Sequence, residues 1–318
     1  MHELMRESKG MTDYVYFCPK CGRPHSREEY SESRFCRHCG KFLTSRDKRV
    51  LEQGSTKKEE VLKLDDVENS IEKTYELIQQ NIPHNARLDS LEVVKQVEKY
   101  RQFWKPEKVN VVLLAESHVY TEREEFDTTC RNSILDRIML PQNKGYPVNF
   151  VRFVYCLGYG ENDLLTEKIK KNQGTWQFWK IFSRCIGEDE AEVLKYGTPN
   201  FERRLRNKVQ VLRKMQDRGI WLLDASIVGL YKSGIKKDKE IFNGIMSESW
   251  LSYVQKVTSD VHPKHIVVIG KAVEKIVSYS LRKLNFDYTA IDAPQAQLSA
   301  EMQEANYEKY REICGKYC

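Results

Sequence analysis

Residues 109–120, VNVVLLAESHVY, decide the fold because they hold an apolar run that stops abruptly in polar side chains. Five of the first six residues are apolar, and Ala115, Glu116, Ser117 and His118 follow them. A continuous apolar run is typical of a strand that is covered on both faces of a parallel sheet. In open α/β sheets, ligands bind at the carboxyl ends of the strands. The stretch therefore predicts a buried strand that delivers a carboxylate, a hydroxyl and an imidazole to a ligand site.

Apolar runs of the same kind recur along the chain and alternate with helical patterns. They predict further strands at 148–157, 220–226 and 265–270, and the helices include 202–217 and 271–284. Strands that alternate with helices form parallel sheets with helices on both faces. We therefore predict an α/β fold, with a three-layer α/β/α domain built on a four-stranded parallel sheet.

Four cysteines near the N-terminus have the spacing of a metal site. They form two CxxC pairs separated by fourteen residues, each followed by a glycine: Cys18, Cys21, Cys36 and Cys39. Four thiolates in a tetrahedral array are typical of structural Zn²⁺, and iron is the alternative metal. Metal binding would supply folding free energy that so short a segment cannot obtain from a core. We expect a zinc ribbon at residues 1–45, a linker at 46–66 and the α/β domain with N-terminal helices at 67–318.

Composition restricts the class of protein only loosely. The 318-residue chain is 40% apolar and 31% charged, with a net charge of +6, which is compatible with a polyanionic partner. No apolar run reaches the roughly 18 residues that cross a bilayer, and the N-terminus has no apolar core of a secretory signal. We expect a cytoplasmic monomer without membrane contact.

The sequence lacks the motifs that would identify a nucleotide cofactor. No glycine-rich phosphate-binding motif follows any predicted strand, so no nucleotide cofactor is expected. The cysteines outside the ribbon show no ligand spacing and are expected to be free thiols, namely Cys130, Cys156, Cys185, Cys314 and Cys318. The chemistry must therefore come from polar side chains at the strand ends.

The strand ends over residues 104–305, taken in chain order, resemble the uracil-DNA glycosylase superfamily. VVLLAESHVY at 111–120 is similar to the first motif of that family, in which GQDPYH or GEAPG follows an apolar run, and Glu116 matches the Glu of GEAPG. In EEFDTTC, Phe126 matches a phenylalanine that stacks on the flipped base. WLLDAS at 221–226 resembles the LLLNA strand, with Asp224 in place of the asparagine that reads uracil.

The second family motif, HPSPLSA or HPAALLR, is matched less completely. DAPQAQLSA at 292–300 resembles it, and Pro294 falls on its proline. The motif histidine is replaced by Ala293, so its hydrogen bond to the leaving group is absent or comes from another residue. The proline of the first motif is likewise replaced, by His118.

The resemblance implies hydrolysis of the N-glycosidic bond of a flipped nucleotide through an oxocarbenium-like sugar. Glu116 would orient and deprotonate the attacking water, and the alternative is a carboxylate that caps loop amides. His118 would donate to the leaving base or to a phosphate, and the alternative is an exposed histidine without a role. Ser117 would position the backbone or a phosphate at the base-recognition site.

Asp224 carries the prediction about base identity. A carboxyl group accepts a hydrogen bond from the amine of cytosine, and it also donates to N3 if burial raises its pKa. Aspartate in place of asparagine therefore favours a cytosine-type base. The alternative is a structural ion pair, because a buried carboxylate without a partner is costly.

Contacts with double-stranded DNA are expected from two segments. The second motif matches a wedge that enters the minor groove, with Gln295, Gln297 and Leu298. The helix FERRLRNKVQVLRKMQDR is expected to face phosphates, chiefly through Arg203 and Arg206, although a solvated face also explains it. Its other cations are Arg204, Lys208, Arg213, Lys214 and Arg218.

These observations predict a DNA glycosylase, a hydrolase that flips and excises a modified base and leaves an abasic site. The resemblance extends to a branch that defends bacteria by excising α-glucosylated 5-hydroxymethylcytosine from phage DNA, and this base is the leading substrate hypothesis. The alternatives are base-excision repair of uracil or another deaminated base, and a non-catalytic DNA-binding protein on the same fold.

Overall fold

The computed structural model describes residues 14–18, 24–25, 30, 34, 36, 43, 48–50, 64–83, 86–139 and 145–318. Within these ranges the strands are β1 (Tyr14–Phe17), β2 (Pro24–His25), β3 (Lys48–Val50), β4 (Val111–Ala115), β5 (Ile220–Asp224), β6 (His265–Ile269) and β7 (Tyr288–Ile291). The α-helices are α1 (Leu64–Asn81), α2 (Leu91–Phe103), α3 (Arg123–Phe126), α4 (Asn132–Met139), α5 (Trp176–Ile186), α6 (Phe201–Asp217), α7 (Lys239–Ser249), α8 (Gln255–Val261), α9 (Lys271–Lys283) and α10 (Ala300–Tyr317). A π-helical turn, Trp250–Val254, joins α7 to α8.

The main sheet has four parallel strands in the order β5-β4-β6-β7, which confirms the predicted fold class. Every residue of β4, β5 and β6 is buried, as their continuous apolar sequences require. The helices pack in two groups that cover the sheet, one formed by α5, α6 and α10 and the other by α1, α2, α7 and α9. The result is a three-layer α/β/α domain with one contiguous core.

One of the four predicted strands is wrong. Residues 150–157 are buried and the two residues before them are half-buried, but the segment is irregular. Its amides bond to loop carbonyls and to the hydroxyls of a threonine and a tyrosine rather than to a neighbouring strand. The fourth strand is β7, which lies at the edge of the sheet. Tyr288, Thr289 and Ala290 of β7 are partly exposed, so this strand lacks the apolar run on which the prediction relied.

A small antiparallel sheet of order β2-β1-β3 lies near the N-terminus. β3 falls within the segment predicted as a linker, and it pairs with β1, so this sheet extends beyond the predicted boundary at residue 45. Helix α1 begins at Leu64, three residues before the predicted domain boundary at 67. Across the described residues, no helix is both long enough and apolar enough to traverse a bilayer.

Candidate functional site

The candidate site lies where β4 and β5 end together at the carboxyl edge of the sheet. Ala115 pairs in register with Asp224. The ladder continues past the strands, because the amide of Ala225 donates to the carbonyl of Ala115 at 2.8 Å and that of Ser226 to Glu116 at 3.0 Å. The loops after the two strands therefore leave the sheet side by side, with the Glu116 side chain half-buried at the point of departure.

Ser117 fixes the first of these loops against the second. Its hydroxyl donates to the carbonyl of His118 at 2.8 Å and accepts from the amide of Leu230 at 3.0 Å. A hydroxyl engaged in both directions positions backbone rather than reacts, in agreement with the role expected for Ser117. Its predicted contact with a base or a phosphate stays a prediction.

His118 is fully buried, so the alternative of an exposed histidine is wrong, and its predicted donation to a base or a phosphate stays a prediction. Its Nε2 lies 3.1 Å from Oδ2 of Asp89, and its Nδ1 lies 3.7 Å from Oδ2 of Asp224. The imidazole is thus placed between two carboxylates inside the protein. This arrangement suits a protonated histidine that holds two segments together.

Asp224 is also withdrawn from solvent, as the prediction for a buried carboxyl group required, and its predicted role in base recognition stays a prediction. Its side chain is only 3% exposed, and Oδ2 accepts a hydrogen bond from Nη2 of Arg101 at 3.0 Å. Arg101 also bonds Glu98 on the same helix, and its guanidinium lies over the ring of Phe153. The structural ion pair, the alternative raised by the sequence, is what the contacts show.

Asp89 is a residue of this network that the sequence did not reveal. Its Oδ1 accepts from the amide of Thr121 at 2.9 Å, and its Oδ2 accepts from the amide of Gly229 and lies beside His118. Because Asp89 directly precedes Ser90, the N-cap of α2, it resembles an ordinary residue of a helix start. Its carboxylate joins the loops after β4 and β5, and so helps to position the segment that carries Glu116.

The charge of His118 should make stability depend on pH. Burial by itself would lower the pKa of the imidazole, but the charges and hydrogen bonds of Asp89 and Asp224 outweigh it and raise the pKa from 6.5 to about 9. A histidine with a raised pKa stabilises the folded state fully below the unfolded value of 6.5, and this contribution is lost as the pH rises through about 9. We expect a loss of about 3 kcal/mol across this window.

Urea unfolding of the wild type and of His118→Gln at pH 6, 7.5 and 9.5 measures this effect. The glutamine side chain does not titrate, so the free energy of unfolding of the variant should fall less than that of the wild type. Parallel pH profiles for the two proteins would show that the imidazole is neutral in the folded state.

The other predicted site residues occupy separate positions around the domain. Phe126 ends α3, is half-buried and packs against the core, so its stacking role stays a prediction. After β7, Gln295 and Gln297 are exposed and Leu298 is half-buried. This loop meets the end of β6, because the amide of Gly270 donates to the carbonyl of Ile291 at 2.7 Å. The wedge candidates therefore lie at the same carboxyl edge as Glu116.

The basic helix α6 is only partly available to a polyanion. Arg203 and Arg206 are exposed near its N-terminus. Because α6 runs antiparallel to β5, this N-terminus lies towards the carboxyl edge of the sheet. Arg204 and Lys208, by contrast, are buried and bond the carboxylate of Glu161 at 2.6–2.8 Å. These two cations belong to the core rather than to a DNA-facing surface.

Two of the four predicted zinc ligands fall within the described residues. Cys18 and Cys36 are buried and belong to one small apolar cluster with Tyr16 and Leu43. They come from the two different CxxC pairs, as a shared tetrahedral site requires. Cys21 and Cys39 lie outside the described residues.

Comparison with known proteins adds no family assignment. No protein-family model matches the sequence, and no curated protein is significantly similar to it.

Proposed function

We propose that the protein is a DNA glycosylase that hydrolyses the N-glycosidic bond of a flipped nucleotide in double-stranded DNA. The observation that carries the proposal is the half-buried carboxylate of Glu116 at the carboxyl end of the interior strand β4. The segments that resemble uracil-DNA glycosylase motifs follow one another along the chain in the order found in that family. Exposed side chains of the loop after β7 lie at the same carboxyl edge of the sheet as Glu116.

In the proposed reaction, Glu116 accepts a proton from a water molecule as the water attacks C1′ of the sugar. The bond between C1′ and the base nitrogen breaks, and its electron pair leaves with the base. The base takes up a proton from solvent, and Glu116 releases to solvent the proton that it accepted. The products are a free base and an abasic site. His118, Asp89 and Ser117 hold the loop of Glu116 in place and do not touch the reacting atoms.

The substrate proposal rests on the resemblance and no longer on Asp224, whose carboxylate is occupied by Arg101. A modified cytosine of phage DNA, with glucosylated 5-hydroxymethylcytosine first, is the base to test, and uracil or another deaminated base is the alternative. Matched duplexes containing each base, incubated with the protein and treated with alkali, report excision as strand cleavage at one position. Cleavage of one modified duplex but not of its unmodified control is the expected result.

A non-catalytic DNA-binding protein is the second candidate function. The burial of His118 and Asp224 favours it, because neither side chain presents a hydrogen-bonding edge to a base. Salt-dependent DNA binding without an abasic site on any duplex of the panel would support this candidate.

We also propose that Cys18, Cys21, Cys36 and Cys39 hold a structural Zn²⁺, whose binding would supply folding free energy to the N-terminal segment. Removing the metal with a chelator is expected to expose residues 14–45 to proteolysis. All five tryptophans lie between Trp104 and Trp250, so their fluorescence should stay unchanged and report an intact α/β domain. Metal analysis should find about one zinc per chain. Absence of both zinc and iron would overturn the ribbon assignment.

A further inference from the structure

Two exposed lysines on neighbouring loops have unusual backbone conformations. Lys171 has a φ of 53° and Lys232 a φ of 69°. Both values lie in the left-handed region of backbone conformation, which residues other than glycine adopt uncommonly. Both side chains are exposed. Strained backbone of this kind persists where surrounding contacts enforce it, and it concentrates at functional sites.

Arg152 fixes one of these loops from beneath. Its Nη2 donates to the carbonyl of Lys170 at 3.0 Å, and its Nη1 donates to that of Lys171 at 3.3 Å. Asn172, the next residue, accepts from the amide of Gly160 at 2.7 Å and donates to the carbonyl of Gly158 at 2.9 Å. Lys171 is therefore presented by an anchored turn rather than by a loose loop.

Lys232 is carried by the loop that leaves β5. The preceding residue, Tyr231, pairs with Val119, and its carbonyl accepts from the amide of Tyr120 at 3.0 Å. The amide of Val119 donates to the carbonyl of Arg152 at 3.0 Å, which links this segment to the turn of Lys171. Both lysines thus border the segment that begins at Glu116.

The two lysines form a surface with excess positive charge. The nearby carboxylate of Glu125 is bonded by Nε of Arg152 at 2.7 Å and by its Nη2 at 2.5 Å. Among the described residues, no carboxylate lies within 4 Å of the ammonium group of Lys171 or Lys232. The pKa of Lys232 is lowered, first by partial burial of its side chain and then by the positive charge of Arg152. The carboxylate of Glu125 raises this pKa in part, and the charge of Lys171 lowers it further. An anion placed between the lysines would relieve their repulsion.

We propose that Lys171 and Lys232 together bind one backbone phosphate of the DNA strand that enters the site of Glu116. The inference rests on the proposed function, because only that function identifies the anion as DNA. Lysine is a common phosphate ligand, and its contacts fix the register of a protein on a duplex without reading sequence. Tyr231, whose side chain is 47% exposed, adds an aromatic surface next to Lys232.

The test measures affinity for a fluorescent duplex at several salt concentrations, without any need for excision. The variant Lys171→Gln/Lys232→Gln removes both charges and keeps the side-chain stems. We expect about tenfold weaker binding near physiological salt, and a slope of log affinity against log salt that is smaller in magnitude by about 0.9, the value for one phosphate contact. Lys171→Arg/Lys232→Arg should restore both quantities.

The matched control is Lys108→Gln/Lys283→Gln, which removes two exposed lysines near the amino-terminal edge of the sheet. The control should bind DNA as the wild type does. Thermal unfolding should show that both double variants remain folded. If the double substitution lowers stability, each single substitution should still give part of the loss in affinity. Unchanged affinity and slope for the duplex would overturn the phosphate site. Because excision is scored separately, active enzyme with unchanged binding refutes this inference alone.

Discussion

Replacing Glu116 by glutamine is expected to lower the rate of base excision by about 10²- to 10⁴-fold, the usual contribution of a general base. The amide has nearly the shape of the carboxylate but cannot accept a proton from the attacking water. Single-turnover excision of the preferred duplex measures the rate, and fluorescence anisotropy measures affinity for the same duplex. The affinity should stay close to that of the wild type, because the carboxylate acts on water rather than on phosphates.

Glu124→Gln is the matched control, since Glu124 is exposed on the short helix α3 and the substitution makes the same change of charge. It should leave both quantities unchanged. Excision by Glu116→Gln at close to the wild-type rate would mean that this carboxylate caps a loop. Equal losses of excision, binding and thermal stability would point to a damaged fold instead.

Replacing Arg101 by methionine is expected to destabilise the protein by about 3–5 kcal/mol, the usual cost of leaving a buried charge without its partner. The side chain of Arg101 is 5% exposed and joins two carboxylates, Asp224 and Glu98, that are equally withdrawn from water. Urea unfolding measures the change in the free energy of unfolding. Arg203→Met, on an exposed position of α6, should change it by less than about 0.5 kcal/mol.

A second substitution distinguishes the loss of the ion pair between Arg101 and Asp224 from the loss of side-chain packing. Adding Asp224→Asn to Arg101→Met removes a carboxylate that would otherwise stay buried and unpaired, so part of the lost stability should return. Asp224→Asn alone should weaken excision of every substrate to a similar degree, because the residue supports the fold. A selective gain for uracil over cytosine-type bases would instead restore Asp224 as a reader of the base.

The architecture could be predicted from the sequence where burial on both faces imposes a continuous apolar run. β4, β5 and β6 show such runs, whereas the edge strand β7 is covered only in part and does not. The apolar segment 148–157 misled the prediction because burial alone produces the same composition. Its backbone bonds to residues such as Thr128 and Tyr146 depend on tertiary packing that no local pattern encodes.

The position of the candidate site in the fold could be predicted from the sequence, but the directions of its side chains could not. The sequence indicates that Asp224 ends a strand and that Glu116 and His118 follow one, yet it does not tell which of these side chains face solvent. The partner of Asp224 is Arg101, 123 residues earlier in the chain, and the partner of His118 is Asp89, at the start of α2. Pairings over such separations are set by the way α2 packs near the sheet, and local spacing carries no trace of them.

The most direct test of the central claim is mass spectrometry of the free bases released from DNA. Duplexes that carry glucosylated 5-hydroxymethylcytosine, 5-hydroxymethylcytosine, uracil or hypoxanthine are incubated with the wild type and with Glu116→Gln. The account predicts that the wild type releases one of these bases intact, in amounts equal to the abasic sites formed, and that Glu116→Gln releases almost none over the same period. DNA that is bound by the wild type but keeps every base would contradict the account.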